Sequence, residues 1–324
     1  MYAVYAQSIE KDEPLKGLGT GPQPEPAELA GRLGWTTVAV KAAALNHHDL
    51  WSLRGVGLSA DRLPMVLGCD GAGVDEDGNE VVIHAVVGEQ GRGVPEGERP
   101  SILTERYPGT FAERIAVPRW NLLPKPASLS FAEAACLPTA WLTAYRMLSY
   151  AKSGLRPGDT VLVQGAGGGV ATALIVLGRA MGLRVWATSR AESKRARALE
   201  LGAHQAFESG ARLPERVDAV METVGAATWE HSVASVREEG TIVISGATSG
   251  PNPRAALARI FFHQLRVIGS TMGTRDELGA LLRFCETAGI RPLIDSELPL
   301  REGAAAGFAK MEAGELMGKL VFTL

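Results

Sequence analysis

Asp159-Thr-Val-Leu-Val-Gln164 runs into Gly165-Ala-Gly-Gly-Gly169, then into an apolar helical stretch that closes at Gly182 and is followed by Leu183-Arg-Val-Trp-Ala-Thr-Ser-Arg190. The order is strand, glycine turn, helix, strand. Thr160 to Gln164 is short and β-rich, as a buried parallel strand would be. Gly165 to Gly169 keeps side chains away from the turn. The following helix aims its free N–H groups and positive dipole end at it, which suits a pyrophosphate. The dinucleotide fingerprint G-x-G-x-x-G/A fits best at Ala166, Gly168 and Ala171, with alanine replacing its first glycine. The closed βαβ context carries the reading more than the glycines do. Gly168 and Gly169 are therefore expected to cradle a dinucleotide.

The end of the second strand selects the dinucleotide. An NAD site places Asp or Glu there for the ribose 2′-hydroxyl. This chain has Ser189 and Arg190, with Lys194 one turn later, and Glu192 lies past the strand end. A hydroxyl and cations suit a 2′-phosphate, so NADPH is expected. A plain solvated helix face would also explain Arg190, Lys194, Arg195 and Arg197.

Alternating strands and helices continue on both sides of this unit. Gln205 to Phe207, Val217 to Met221, Thr241 to Ser245 and Leu265 to Thr271 read as four more strands. Six strands with helical crossovers form a doubly wound α/β sheet with ligand at the carboxyl ends. Residues 1–124 read as mostly β, with strands at Thr36 to Ala42 and Val81 to Val87. Ser130 and Glu133 make a capping box that opens a helix. The tail shows one clear helix, Glu277 to Ala288, and a final strand, Lys319 to Thr323, suited to return to the first domain. Gly88 to Gly109 is rich in glycine, proline and charge, and reads as a surface loop or a flap over a cleft.

The 324 residues suffice for two domains. A net charge of −3 offers no field for nucleic acid or an anionic membrane. No apolar run reaches transmembrane length and no signal-peptide core is present. Three widely spaced cysteines, Cys69, Cys136 and Cys285, suggest free thiols in a reducing cytoplasm.

Ala44-Leu-Asn-His-His-Asp-Leu-Trp51, Val66-Leu-Gly-Cys-Asp-Gly-Ala-Gly73 and Gly109-Thr-Phe-Ala-Glu113 come next in weight. Leu142-Thr-Ala-Tyr145, Arg156-Pro-Gly-Asp-Thr-Val-Leu-Val163 and Leu201-Gly-Ala203 complete the series. In this order the chain resembles a medium-chain dehydrogenase/reductase of the zinc-independent, quinone-oxidoreductase-like branch. The resemblance implies a GroES-like β domain at 1–124, completed by 272–324, and a Rossmann domain at 125–271, with a cleft between them. It extends the expected cofactor set to Thr143, Val170, Val224, Gly246, Ala247 and Met272. It places Asn46 and Asp49 beside the nicotinamide, and Trp51 as an apolar wall.

In the zinc-dependent branch, ligands stand at the positions of Asn46, Cys69, Asp70 and near Thr139. Asn46 and Thr139 are poor ligands, and three good ones are needed, so no metal is expected. Hydride transfer without a Lewis acid suits quinones and α,β-unsaturated carbonyls, whose charge spreads onto an oxygen that hydrogen-bond donors can stabilise. Asn46 is a candidate donor. His47 or His48 is a candidate proton relay, since either titrates near neutrality in the absence of other influences. A zinc-type alcohol dehydrogenase and a non-enzymatic NADPH-binding protein remain alternatives. The resemblance also implies a homodimer joined through the sheet edge at 265–271. A monomer whose edge is covered by residues 251–259 is the alternative.

Overall fold

The computed structural model describes residues 1–149 and 151–324 in full. It divides into two compact units, Met1–Thr139 with Thr274–Leu324, and Ala140–Gly273. The sequence placed this boundary at 124/125. The helix Phe131–Ala135 belongs with the first unit because it packs on strands Trp35–Ala44 and Asp70–Asp75. Its Ser130–Glu133 capping box is present as expected.

Unit Ala140–Gly273 is built on a six-stranded parallel sheet. Its spatial order is Gln205–Phe207, Arg184–Thr188, Thr160–Val163, Val217–Glu222, Val236–Ile244 and Arg266–Gly269. The chain reverses direction across the sheet between Thr160–Val163 and Val217–Glu222, which opens a crevice at their carboxyl ends. Val161, Leu162 and Val163 are fully buried, as a strand covered on both faces must be. Helix Gly169–Ala180 covers one face with Ala171, Leu174, Ile175 and Leu177. Leu162, Trp186, Val220 and Ile242 share one apolar cluster with Trp229 and Val233.

Strand Arg266–Gly269 is the sheet edge, paired among the described strands with Val236–Ile244 alone. Arg266, Val267 and Gly269 on it are exposed. The preceding helix, Leu257–Phe262, exposes Leu257, Phe261 and Phe262 at 69%, 62% and 72%. Four large apolar side chains thus stand in water along one edge.

The other unit is organised on the long strand Trp35–Ala44. It pairs antiparallel with Asp70–Asp75 on one side, and with Arg114–Pro118 and Lys319–Thr323 on the other. The final strand therefore does return to the first part of the chain. It is followed outward by Ile294–Pro299 in parallel pairing. The tail holds a second helix, Leu300–Glu312, besides Arg275–Ala288. Sequence reading found only the latter.

The segment 88–109 is part surface and part core. Residues 90–100 are mostly exposed, whereas Ser101, Leu103, Thr104 and Tyr107 are buried. Strands Val86–Val87 and Ser101–Ile102 pair across its base. Trp35 Nε1 donates to the Gly93 carbonyl at 2.8 Å, and its ring packs against Tyr107. No helix among the described residues is long and apolar enough to cross a membrane.

Candidate functional site

Strand Trp35–Ala44 delivers Asn46 to the start of helix His47–Leu53. Asp49 closes that start from within. One carboxylate oxygen accepts the Asn46 backbone N–H at 2.9 Å, and the other accepts the Gly68 N–H at 3.0 Å. One buried side chain thereby pins the helix start to the segment before Cys69. Burial pushes the Asp49 carboxyl up to about 7, against the pull of those two N–H groups.

The Asn46 side chain turns into a buried polar network. Its Nδ2 donates to Asp70 Oδ2 at 2.8 Å and to the Ala44 carbonyl at 3.1 Å. Its Oδ1 accepts from Lys319 Nζ at 2.6 Å. The lysine also donates to the Leu45 carbonyl at 2.9 Å and to Asp70 Oδ2 at 3.0 Å. Asp70 and Lys319 are 0% and 2% exposed, so this is a fully desolvated ion pair. An ammonium has three hydrogens to give, and all three find acceptors.

Both amide hydrogens of Asn46 are thus committed inside the protein. The direct oxyanion donation expected from the sequence is not what this arrangement offers; the amide is held as a strut between Lys319 and Asp70. His47 is open to solvent on one side but otherwise surrounded by protein. That burial lowers its pKa from 6.5, and the cations Lys319 and Arg54 lower it further. His48 is pulled down to about 4 by burial, with Asp70 opposing. The near-neutral titration expected from composition does not hold for His48, because the protein around its ring penalises the cation. Trp51 lies half-buried on the same helix.

The positions occupied by zinc ligands in the metal-dependent branch do come together. Asn46 Nδ2 and Thr139 Oγ1 each lie 3.5 Å from Cys69 Sγ. The donor set fits zinc poorly. Asn46 presents an amide, Thr139 a hydroxyl, and Asp70 already carries the Lys319 ammonium. Burial and the carboxylates Asp49 and Asp70 hold Cys69 as a thiol, whereas zinc binds thiolate. No group of three or more His, Cys, Asp and Glu side chains suited to a metal occurs among the described residues.

The expected cofactor residues all lie in unit Ala140–Gly273. Gly165 turns the chain at φ +79°, a left-handed conformation that glycine adopts without cost. Gly168 caps the helix that Gly169 and Val170 begin, and a Cβ on Gly168 would meet nothing within 4 Å. That open cradle at a helix N-terminus fits a pyrophosphate. A Cβ on Gly167 would come within 3.0 Å of Lys194 Nζ, so the ammonium lies across the turn. Ser189 is buried and Arg190 exposed at the end of the second strand. Arg195 clamps the Ser189 and Arg190 carbonyls at 2.8 and 3.0 Å. Val224, Gly246, Ala247 and Met272 follow the carboxyl ends of later strands, and Thr143 is buried on helix Leu142–Leu148.

Two features escaped the sequence reading. One is Lys319. The other is a relay of polar groups behind the glycine turn. Glu222 accepts from the Val224 and Gly225 N–H groups, from Thr228, and from Ser232 Oγ at 2.5 Å. Gln164 Nε2 donates to Ser232, its Oε1 accepts from Thr188, and Thr188 Oγ1 accepts the Gly165 N–H. A glutamine ending an apolar strand was the available signal.

Residues 32–127 match the alcohol dehydrogenase GroES-like domain, and residues 169–287 the zinc-binding dehydrogenase domain. The chain is similar to the 2-methylene-furan-3-one reductase of Solanum lycopersicum, 30% identical over 88% of this chain and 70% of that one. It is similar to the quinone oxidoreductase of Mus musculus, 27% identical over 89% and 88%. Among solved structures, an NAD-dependent alcohol dehydrogenase superposes with a TM-score of 0.88, at 36% identity over 100% of each chain.

Proposed function

The chain belongs to the medium-chain dehydrogenase/reductase superfamily, and from that premise we propose that it is an NADPH-dependent reductase of quinones or α,β-unsaturated carbonyl compounds that works without a metal. The carrying observation is the Lys319–Asp70–Asn46 network, which stands where the zinc-dependent branch places ligands. With the carboxylate neutralised by an ammonium and the amide tied to both, the site has no strong Lewis-acid chemistry of its own. Substrates whose charge delocalises need less help. The names of the quinone oxidoreductase and methylene-furanone reductase relatives point the same way.

When bound, the reduced nicotinamide supplies the hydride. Asn46 and Asp49 hold the shape of the helix start, and Trp51 supplies apolar surface. His47 and His48 are the imidazoles available for protons. The NADPH preference is supported by Ser189 and Arg190 in place of a strand-end acid, and by Lys194 across the turn. The solved NAD-dependent alcohol dehydrogenase favours a second reading, NAD-linked alcohol oxidation.

Steady-state assays separate the two. The proposal expects NADPH oxidation with quinones and enones, unaffected by chelator. It also expects NADPH to bind at least about tenfold tighter than NADH, a gap of about 1.4 kcal/mol that Arg190→Ala narrows. Chelator-sensitive alcohol oxidation with NAD, and equal cofactor affinities, would establish the second reading instead.

A further inference from the structure

Segment 101–105 reaches helix His47–Leu53 with two residues that the expected site did not include. Thr104 is fully buried at φ +79°, a left-handed conformation rare for a β-branched residue. Its backbone N–H is held by the Tyr107 carbonyl at 2.8 Å. Its hydroxyl lies 3.0 Å from His48 Nε2 and 3.3 Å from Ser52 Oγ. Glu105 follows, with Oε1 at 4.0 Å from His48 Nε2 and Oε2 accepting from Ser101 Oγ at 3.3 Å. Room for the carboxylate is provided by Gly57, where a Cβ would come within 2.4 Å of Oε1. The Glu105 side chain is 26% exposed, so it reaches water. The other imidazole nitrogen, His48 Nδ1, makes no hydrogen bond among the described residues.

We propose that Glu105 is the proton reservoir of the reduction and that His48 is the relay, its Nε2 turned to Glu105 and Thr104 and its Nδ1–H to the reacting molecule. This rests on the reductase reading above. The electrons arrive with the hydride, and the relay moves protons only. As the Nδ1–H bond breaks and the substrate O–H bond forms, the Thr104 O–H turns from Nε2 to Ser52 Oγ, and the freed Nε2 gains the Glu105 proton through one bridging water, so the ring stays neutral. Afterwards Nε2–H returns to the Glu105 carboxylate and Nδ1 takes a proton from water. One proton has then passed from water to product. Burial keeps His48 from storing the proton itself, with Asp70 opposing. Glu105 is suited to storage: burial raises its pKa against the pull of Ser101, the Ile102 backbone and Arg106. The strained Thr104 sets the tautomer by donating its O–H to Nε2.

Glu105→Gln is the test. With a quinone and NADPH, kcat should fall about a hundredfold while NADPH affinity stays within about twofold. The wild-type decline of kcat as pH rises through the Glu105 pKa should vanish, and Glu105→Asp should restore part of the rate. Wild-type kcat and pH profile in Glu105→Gln would overturn the relay. Nitrogen-15 NMR of His48 in the resting protein tests the relay independently of turnover. The neutral Nδ1–H tautomer is expected, and the Nε2–H tautomer overturns the proposal. A wild-type protein that reduces no quinone or enone would sink the reductase reading, whereas the tautomer bears on the relay alone.

Discussion

Replacing Lys319 with methionine removes the ammonium and keeps most of the volume. The structure sets the size of the effect. Three hydrogen bonds disappear, to Leu45 O, Asn46 Oδ1 and Asp70 Oδ2. Asp70 is left fully buried, one carboxylate oxygen already without a partner and the other held only by Asn46. Breaking a buried pair in this way costs about 3–5 kcal/mol. Urea unfolding at neutral pH should report that loss as a lower midpoint at unchanged slope. Adding Asp70→Leu to the variant should recover most of the stability, because an apolar pair of similar volume replaces the ion pair. A single-variant loss below about 1 kcal/mol, or a double variant no better than the single, would refute the idea that this pair governs the site.

Asp49 carries a pH signature. Its folded-state pKa is raised to about 7 by burial, so it costs stability as pH rises from its unfolded pKa through that value. Asp49→Asn should flatten the pH dependence of unfolding between about pH 4 and 7, by a few kcal/mol at most; an unchanged slope would count against it. The exposed sheet edge carries a third prediction. Strand Arg266–Gly269 with Phe261 and Phe262 beside it is proposed to pair with its copy across a two-fold axis. Phe261→Ser with Phe262→Ser should weaken a dimer at least about a hundredfold by light scattering over a dilution series, from the apolar surface no longer buried. A parent protein monomeric at high micromolar concentration would exclude the pairing.

The doubly wound sheet was readable because its central strands are short apolar runs and helices separate most of them. Five of the six expected strands sit within about two residues of the structure at both ends, and the fifth strand begins earlier, at Val236. The tail was harder. Leu300–Glu312 contains Gly303 and Gly307, which read as breaks in a helical pattern. In the structure they are points of contact: a Cβ on Gly303 would come within 2.5 Å of Leu298, and one on Gly307 within 2.8 Å of Phe322. The glycines let the helix lie flat on the sheet, and sequence periodicity has no means of telling close approach from interruption. Segment 88–109 was misread in part for a related reason. Its glycine, proline and charge describe 90–100 well, and they hide the buried stretch that carries Thr104.

The site was legible where its residues are neighbours in sequence, and not where the fold closes over them. Asn46, His48 and Asp49 lie in one run. Lys319 bonds Asn46 across 273 residues and Asp70 across 249. A lysine opening a strand reads as a solvent-facing end. Here the strand lies between Trp35–Ala44 and Ile294–Pro299, so its first side chain is enclosed. The apolar positions Leu320 and Phe322 drive that closure, and the lysine is carried in with them. Its desolvation is tolerable only because Asp70 and two oxygen acceptors already await it. Completing the sheet and charging the site are therefore one event, and the C-terminal strand is as much a part of the site as the helix that begins at His47.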